Sequence, residues 1–186
     1  MMRKLSAGRI AIFCGFVLCS AAAWAAVATG PAKFSRPAID IGITCSDVEA
    51  SKKFYVDALG FKPAGGFDVP AAMATDIGLA DNKTWRIDVF KLGDDPQAAA
   101  IKLMEFKDLS PAKVDKSFLH SSLGVGYLTL NVPDIDAAVA RAAEAGVKPI
   151  AKGVVEIPAS IAAGIFIVVF RDPDGNLIEL VGPRGK

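Results

Sequence analysis

The chain has 186 residues, 52% of them hydrophobic and 22% charged, which is enough apolar material in enough length for one domain with a real core. Three of the 21 basic residues, Arg3, Lys4 and Arg9, sit at the extreme N-terminus, and the 18 that remain face 20 acidic ones. This slightly acidic body has no electrostatic affinity for a phosphate backbone, and the composition excludes both a disordered chain and a nucleic-acid binder.

The N-terminal stretch reads as an export signal. A basic start up to Arg9 is followed by an apolar run from Ile10 to Ala23, and Ala23-Trp24-Ala25 supplies a small-x-small cleavage site. Cutting after Ala25 releases the mature protein into the periplasm or outside the cell, with residues 26–36 as a short linker. The alternative is an uncleaved membrane anchor, because apolar character continues to Ala28. Leu18 before Cys19 argues against a lipoprotein signal. Cys14 and Cys19 leave with the signal, so Cys45 stands alone and reads as a small buried hydrophobe rather than a nucleophile.

Beyond residue 36 the chain carries an internal repeat. Asp40-Ile41-Gly42-Ile43-Thr44-Cys45-Ser46-Asp47-Val48 and Tyr127-Leu128-Thr129-Leu130-Asn131-Val132-Pro133-Asp134-Ile135 both alternate apolar residues and then meet an Asp that opens a helix. On the first helix Val48, Ser51, Tyr55 and Leu59 share a face; on the second Ile135, Ala138, Val139 and Ala142 do. Both helices close on a glycine, in Gly60-Phe61-Lys62-Pro63 and Gly146-Val147-Lys148-Pro149. A short helix is expected within residues 69–82, and strands over 84–92 and 99–106 form a hairpin. In the second half, strands over 164–171 and 177–181 flank the turn Asp172-Pro173-Asp174-Gly175-Asn176. The reading is an α+β domain over 37–183 made of two βαβββ modules: module one over 37–107, a polar connector over 108–122, and module two over 123–183.

Two stretches carry a resemblance. Ser46-Asp47-Val48-Glu49-Ala50-Ser51-Lys52-Lys53-Phe54-Tyr55, ending in Leu59-Gly60-Phe61, is one; Phe170-Arg171-Asp172-Pro173-Asp174-Gly175-Asn176-Leu177-Ile178-Glu179-Leu180 is the other. At matching module positions, they make the chain resemble the vicinal oxygen chelate superfamily, the glyoxalase, bleomycin-resistance and dioxygenase group. The resemblance implies a cupped, mainly antiparallel sheet around a small-molecule cavity, and a homodimer. A ferredoxin-like pair of domains is the alternative architecture.

The family's metal ligands lie at the start of each module's first strand and in its last strand. Carried over, these positions give Asp40 and Glu105 in module one and Tyr127 and Glu179 in module two. Glu105 is matched to Glu179 because each follows an apolar pair near the end of its strand. Both carboxylates sit among apolar neighbours, and unless they point to solvent they need a partner. The expected metal ligands are therefore Asp40, Glu105 and Glu179, with Glu105 and Glu179 as catalytic acid-base candidates and Tyr127, Trp85 and Phe166 as substrate contacts. The sequence departs from the family in offering no first-strand histidine; its one histidine, His120, falls in the connector, where a solvated or capping role is expected. An all-oxygen set suits manganese, magnesium or calcium, and the two-imidazole site of a ring-cleaving dioxygenase cannot be assembled.

Two functions follow. One is a metal-dependent lyase or isomerase acting on adjacent oxygens; glutathione-linked activity fits poorly with export. The other is a non-catalytic, metal-free binding protein whose cavity is lined by Trp85, Phe90, Phe106, Tyr127 and Phe166. A structural domain with a collapsed cavity is the third reading. In the first two the partner is a small molecule, with no nucleic acid and no membrane after signal cleavage.

Overall fold

The computed structural model describes residues 33–185. The expected signal, its cleavage after Ala25 and most of the linker lie outside the described residues. Two four-stranded mixed sheets hold the chain, each built the same way. Module one runs β1 (Asp40–Thr44), α1 (Val48–Lys53) with a π-helical turn (Phe54–Ala58), β2 (Lys62–Val69), α2 (Ala71–Asp76), β3 (Trp85–Lys91) and β4 (Ala100–Glu105). Module two runs β5 (Tyr127–Asn131), α3 (Ile135–Glu144), β6 (Val155–Glu156), α4 (Ala159–Ala162), β7 (Phe166–Arg171) and β8 (Leu177–Gly182). The sheet orders are β1-β4-β3-β2 and β5-β8-β7-β6, so in each module the first strand pairs parallel to the last and the remaining pairs are antiparallel.

The helix signals read from sequence operate as expected. The Asp47 carboxylate accepts from the Ala50 amide at 3.0 Å, and Asp134 accepts from the Asp136 and Ala137 amides at 3.0 and 3.1 Å. Each satisfies donors that the first turn leaves unpaired. Gly60 and Gly146 end their helices with φ of +81° and +78°, a left-handed conformation costly for any side chain with a Cβ. The first helix departs from a uniform 3.6-residue period. Its last turn widens, with the Leu59 amide reaching back to the Phe54 carbonyl at 3.3 Å, so Phe54, Tyr55 and Ala58 are all buried. Strand β2 was not singled out from sequence, because Pro63 and two glycines obscure its alternation and only Val69 of its eight residues is buried.

One apolar core lies where α1, its π-helical turn and α3 cover one face of both sheets. Ile43, Ile101 and Leu103 from the first sheet and Val168, Phe170, Ile178 and Leu180 from the second all belong to it. Arg141 of α3 ties the helices together, donating to the Ala58 and Leu59 carbonyls at 3.2 and 3.3 Å. Cys45 is buried within this core, where burial pushes its thiol up, in keeping with a packing role.

A second tie is polar. Asp172, in the turn between β7 and β8, is buried and accepts from the Tyr55 hydroxyl at 2.9 Å, from the amides of Asp174 and Asn176 at 3.0 and 2.8 Å, and from Asn176 Nδ2 at 2.6 Å. Burial, then the Asp172 charge, push the Tyr55 hydroxyl far up, which keeps it protonated as the donor to Asp172. Asp174 accepts from the Ser46 amide at 3.0 Å, so one turn of module two holds both the strand-to-helix connection and the π-helical turn of module one. Tyr55→Phe, which removes one donor from a buried carboxylate, is expected to lower stability by about 1–3 kcal/mol, read by denaturant unfolding.

Candidate ligand-binding face

Because one face of each sheet is sealed by helices, a ligand can meet only the other face. Strand alternation decides which side chains these are. In β4, Ile101 and Leu103 point into the core, so Ala100, Lys102 and Met104 point to the open face. In β8, Ile178 and Leu180 point into the core, so Leu177, Glu179 and Val181 point to the open face. The register pairs Asp40 with Ala100 and Gly42 with Lys102 in one module, and Tyr127 with Leu177 and Thr129 with Glu179 in the other. The next backbone bonds agree: Cys45 donates to the Met104 carbonyl at 2.8 Å and Val132 to the Val181 carbonyl at 2.9 Å.

This register corrects the matching of Glu105 with Glu179. The residue equivalent to Glu179 is Lys102, and Glu105 corresponds to Gly182, where an added Cβ would lie 2.1 Å from the Val132 carbonyl oxygen. Glu105 shares the core-facing side with Leu103, at the opposite end of the strand pair from Asp40. Its Oε2 accepts from the Val48 amide at 3.2 Å, so it caps the first turn of α1 instead of facing a ligand. Asp40, Glu105 and Glu179 are not brought together, and no three His, Cys, Asp or Glu side chains among the described residues are grouped to hold a metal ion.

The remaining expected contacts divide. Tyr127 is on the open face of the second sheet and about half exposed. Trp85 has open-face parity but is buried under α2 with Val69 and Ala74, its ring 5.4 Å from that of Phe106. Phe166 is on the helix-covered side, packed against the core with the Arg184 guanidinium 4.7 Å above its ring. Phe90 is buried in the same core. The substrate-contact reading of Trp85 and Phe166 is therefore replaced by packing roles. His120 is exposed in the connector and stacks on Phe118 at 5.6 Å.

Sequence reasoning missed the connector's part in the site. The chain between β4 and β5 forms no regular element, yet it is fastened across the open face of the second sheet. Arg171 donates to the Lys116 and Ser117 carbonyls at 2.7 and 2.9 Å and to the Gly175 carbonyl at 3.1 Å, and the Lys116 ammonium donates to Asn176. The strap borders an open recess of about 350 Å³, lined by Phe118, Leu119, Tyr127, Val169, Leu177 and Glu179 among others. Glu179 is half-buried there and accepts from the Thr129 hydroxyl at 2.9 Å.

On the first sheet the open face carries charge. Asp40 is bonded through Oδ1 to Arg36 and through Oδ2 to Lys102 at 3.0 Å. Hydrogen bonds from Arg36 and then Lys102 hold its carboxyl below the ordinary value of 3.8.

The model of the glyoxalase/bleomycin resistance protein/dioxygenase superfamily matches residues 39–180. The chain belongs to this superfamily. Solved structures share its fold. A glyoxalase family protein from Bacillus cereus is 19% identical with a TM-score of 0.66, the alignment covering 85% of this chain and all of that one. One from Enterococcus faecalis is 21% identical with a TM-score of 0.51, covering 80% and 96%. Glyoxalase I from Zea mays is 16% identical with a TM-score of 0.58, and the alignment covers 79% of this chain and 44% of that longer one. No curated protein matches the chain.

Superfamily membership raises the question of a metal, and the residues present do not fit one. The start of each first strand and the register-matched position in each last strand offer Asp40, Lys102, Tyr127 and Glu179. Both oxygens of Asp40 already face cations. Two unit charges about 4 Å apart repel by about 4 kcal/mol at an effective dielectric of 20, and a divalent ion facing Lys102 doubles that cost.

Two outcomes check these assignments. Glu105→Ala is expected to cost about 0.5–2 kcal/mol of stability, as loss of a helix-terminal acceptor does, while ligand affinity stays unchanged in calorimetry. Because Asp40 titrates below its unfolded value, the stability it contributes is present above the ordinary carboxylate range and disappears as pH falls through the lowered value. The stability gap between wild type and Asp40→Asn, followed by urea unfolding against pH, is therefore expected to be widest near neutrality and to close in acid.

Proposed function

We propose that this superfamily member is a metal-free small-molecule binding protein, exported by its N-terminal segment and working as a pair of identical chains. The observation that carries the reading is the Lys102–Asp40 ion pair, which puts an ammonium on the strand position where the second module has Glu179. A metal-dependent lyase or isomerase requires that position as an oxygen donor, so that reading loses its ligand set.

The recess under the strap supports binding of an apolar body. Its volume of about 350 Å³ falls in the range of small-molecule sites, and its walls are chiefly aromatic and aliphatic, with Ser117, Arg171 and Glu179 as polar groups. Exposed Phe118, Leu119, Leu123 and Val125 support pairing with a second copy, since apolar side chains gathered on one strap are costly to leave in water. Export rests on the sequence pattern before Ala25.

Protein purified without chelator is expected to hold no stoichiometric manganese, magnesium, calcium, nickel or zinc by elemental analysis, and adding these ions is expected to leave its melting temperature unchanged. Aromatic small molecules are expected to raise that temperature without any metal. A bound divalent ion at one per chain, lost in Glu179→Gln, is the result that overturns the reading.

A further inference from the structure

The open face of the first sheet has its own chemistry, distinct from that of the strapped recess. Arg36 and Lys102 place two positive charges on the single negative charge of Asp40, leaving one in excess. Neither cation is sealed away, their side chains being 27% and 34% exposed. Lys102 uses one of its three N–H donors on Asp40, and Arg36 spends two of its five, on Asp40 and the Ala98 carbonyl. Lys91, the next cation on this face, donates to the Pro96 carbonyl at 3.2 Å and so leans toward the β3–β4 loop.

Along the same face an apolar strip leads away from the charge. Val89 is the cross-strand partner of Lys102, and Ile87 pairs with Met104 one step further along. All three of these apolar residues are partly buried rather than sealed. The strip ends against the Trp85 and Phe106 rings. A charged head beside a short apolar track recognises an amphiphile with an anionic end. A carboxylate, with one negative charge, neutralises the excess, whereas a phosphate dianion overshoots it.

We propose that Lys102, assisted by Arg36, is the anchor for a ligand bearing one carboxylate on an aromatic or aliphatic body, the ammonium meeting the oxygens that a divalent cation would otherwise meet. This inference rests on the metal-free reading and adds to it a second contact face, on the first sheet. Lys102 acts by charge and donor geometry: the carboxylate accepts from its free N–H groups while Asp40 keeps the amine oriented. A charge-assisted hydrogen bond on a half-buried surface contributes enough to dominate the affinity of a small acid.

The test uses the mature protein with benzoate, phenylacetate and decanoate as probes, benzamide as the uncharged isostere and inorganic phosphate as the competing anion. Binding is read by calorimetry and by melting temperature. Wild type is expected to bind at least one carboxylate and to bind benzamide and phosphate more weakly. Lys102→Met is expected to weaken the carboxylate by about 10- to 100-fold, with benzamide unaffected and the fold intact by circular dichroism, while Lys102→Arg retains most of the affinity. The proposal is overturned if no carboxylate binds, if Lys102→Met leaves carboxylate affinity unchanged, or if phosphate outcompetes every acid. Stoichiometric metal in the wild type overturns the metal-free reading itself, whereas Lys102-independent carboxylate binding without metal removes only this inference.

Discussion

The parallel pairing of the first strand with the last in each module is the constraint on which the rest depends. It requires a long crossover, supplied in each case by a helix and a hairpin, and the helix must then lie on one face of the sheet. Once α1 and α3 occupy that face, every strand residue has its allegiance settled by parity. Ile101 and Leu103 can only be core and Lys102 can only be outward, and the chemistry of the open face follows from that alternation.

The two modules meet the same constraint with different surroundings. In the second, the open face is roofed by the connector and is chiefly apolar, with Glu179 as its carboxylate. In the first, the equivalent position carries a cation, and α2 covers the Trp85 end of the face. The repeat therefore preserves the scaffold, down to matching backbone bonds at Cys45 and Val132, while its open-face positions differ in charge. Retention of architecture with independent drift of the site is what separates fold from function.

Much of the scaffold was readable in the amino-acid order because it rests on local signals. Asp47 and Asp134 cap, Gly60 and Gly146 terminate, and strand alternation marks buried faces; each needs only a few neighbouring residues to be recognised. The exported start and module limits remain sequence expectations. The site was less legible for two physical reasons. Glu105 and Glu179 were matched by chemical type, whereas the core pairs Ile101/Leu103 and Ile178/Leu180 fix the register and move the match to Lys102. Glu105 then finds its partner in the Val48 amide, a helix-end contact that strand alternation does not reveal. The strap escaped notice because it has no period at all; its position depends on Arg171, which lies more than fifty residues further along the chain. Trp85, read as a substrate contact, has the parity of the open face, but α2 closes over it.

The way in which Arg171 grips the strap has an evolutionary consequence. Its guanidinium holds main-chain oxygens of residues 116, 117 and 175, atoms that every amino acid supplies. Neighbours such as Phe118 and Leu119 can therefore be exchanged without loosening the grip, and each exchange reshapes the roof while its hinge points stay where they are. Such a clamp separates anchorage from surface chemistry, so one backbone path tolerates many different side chains on its roof.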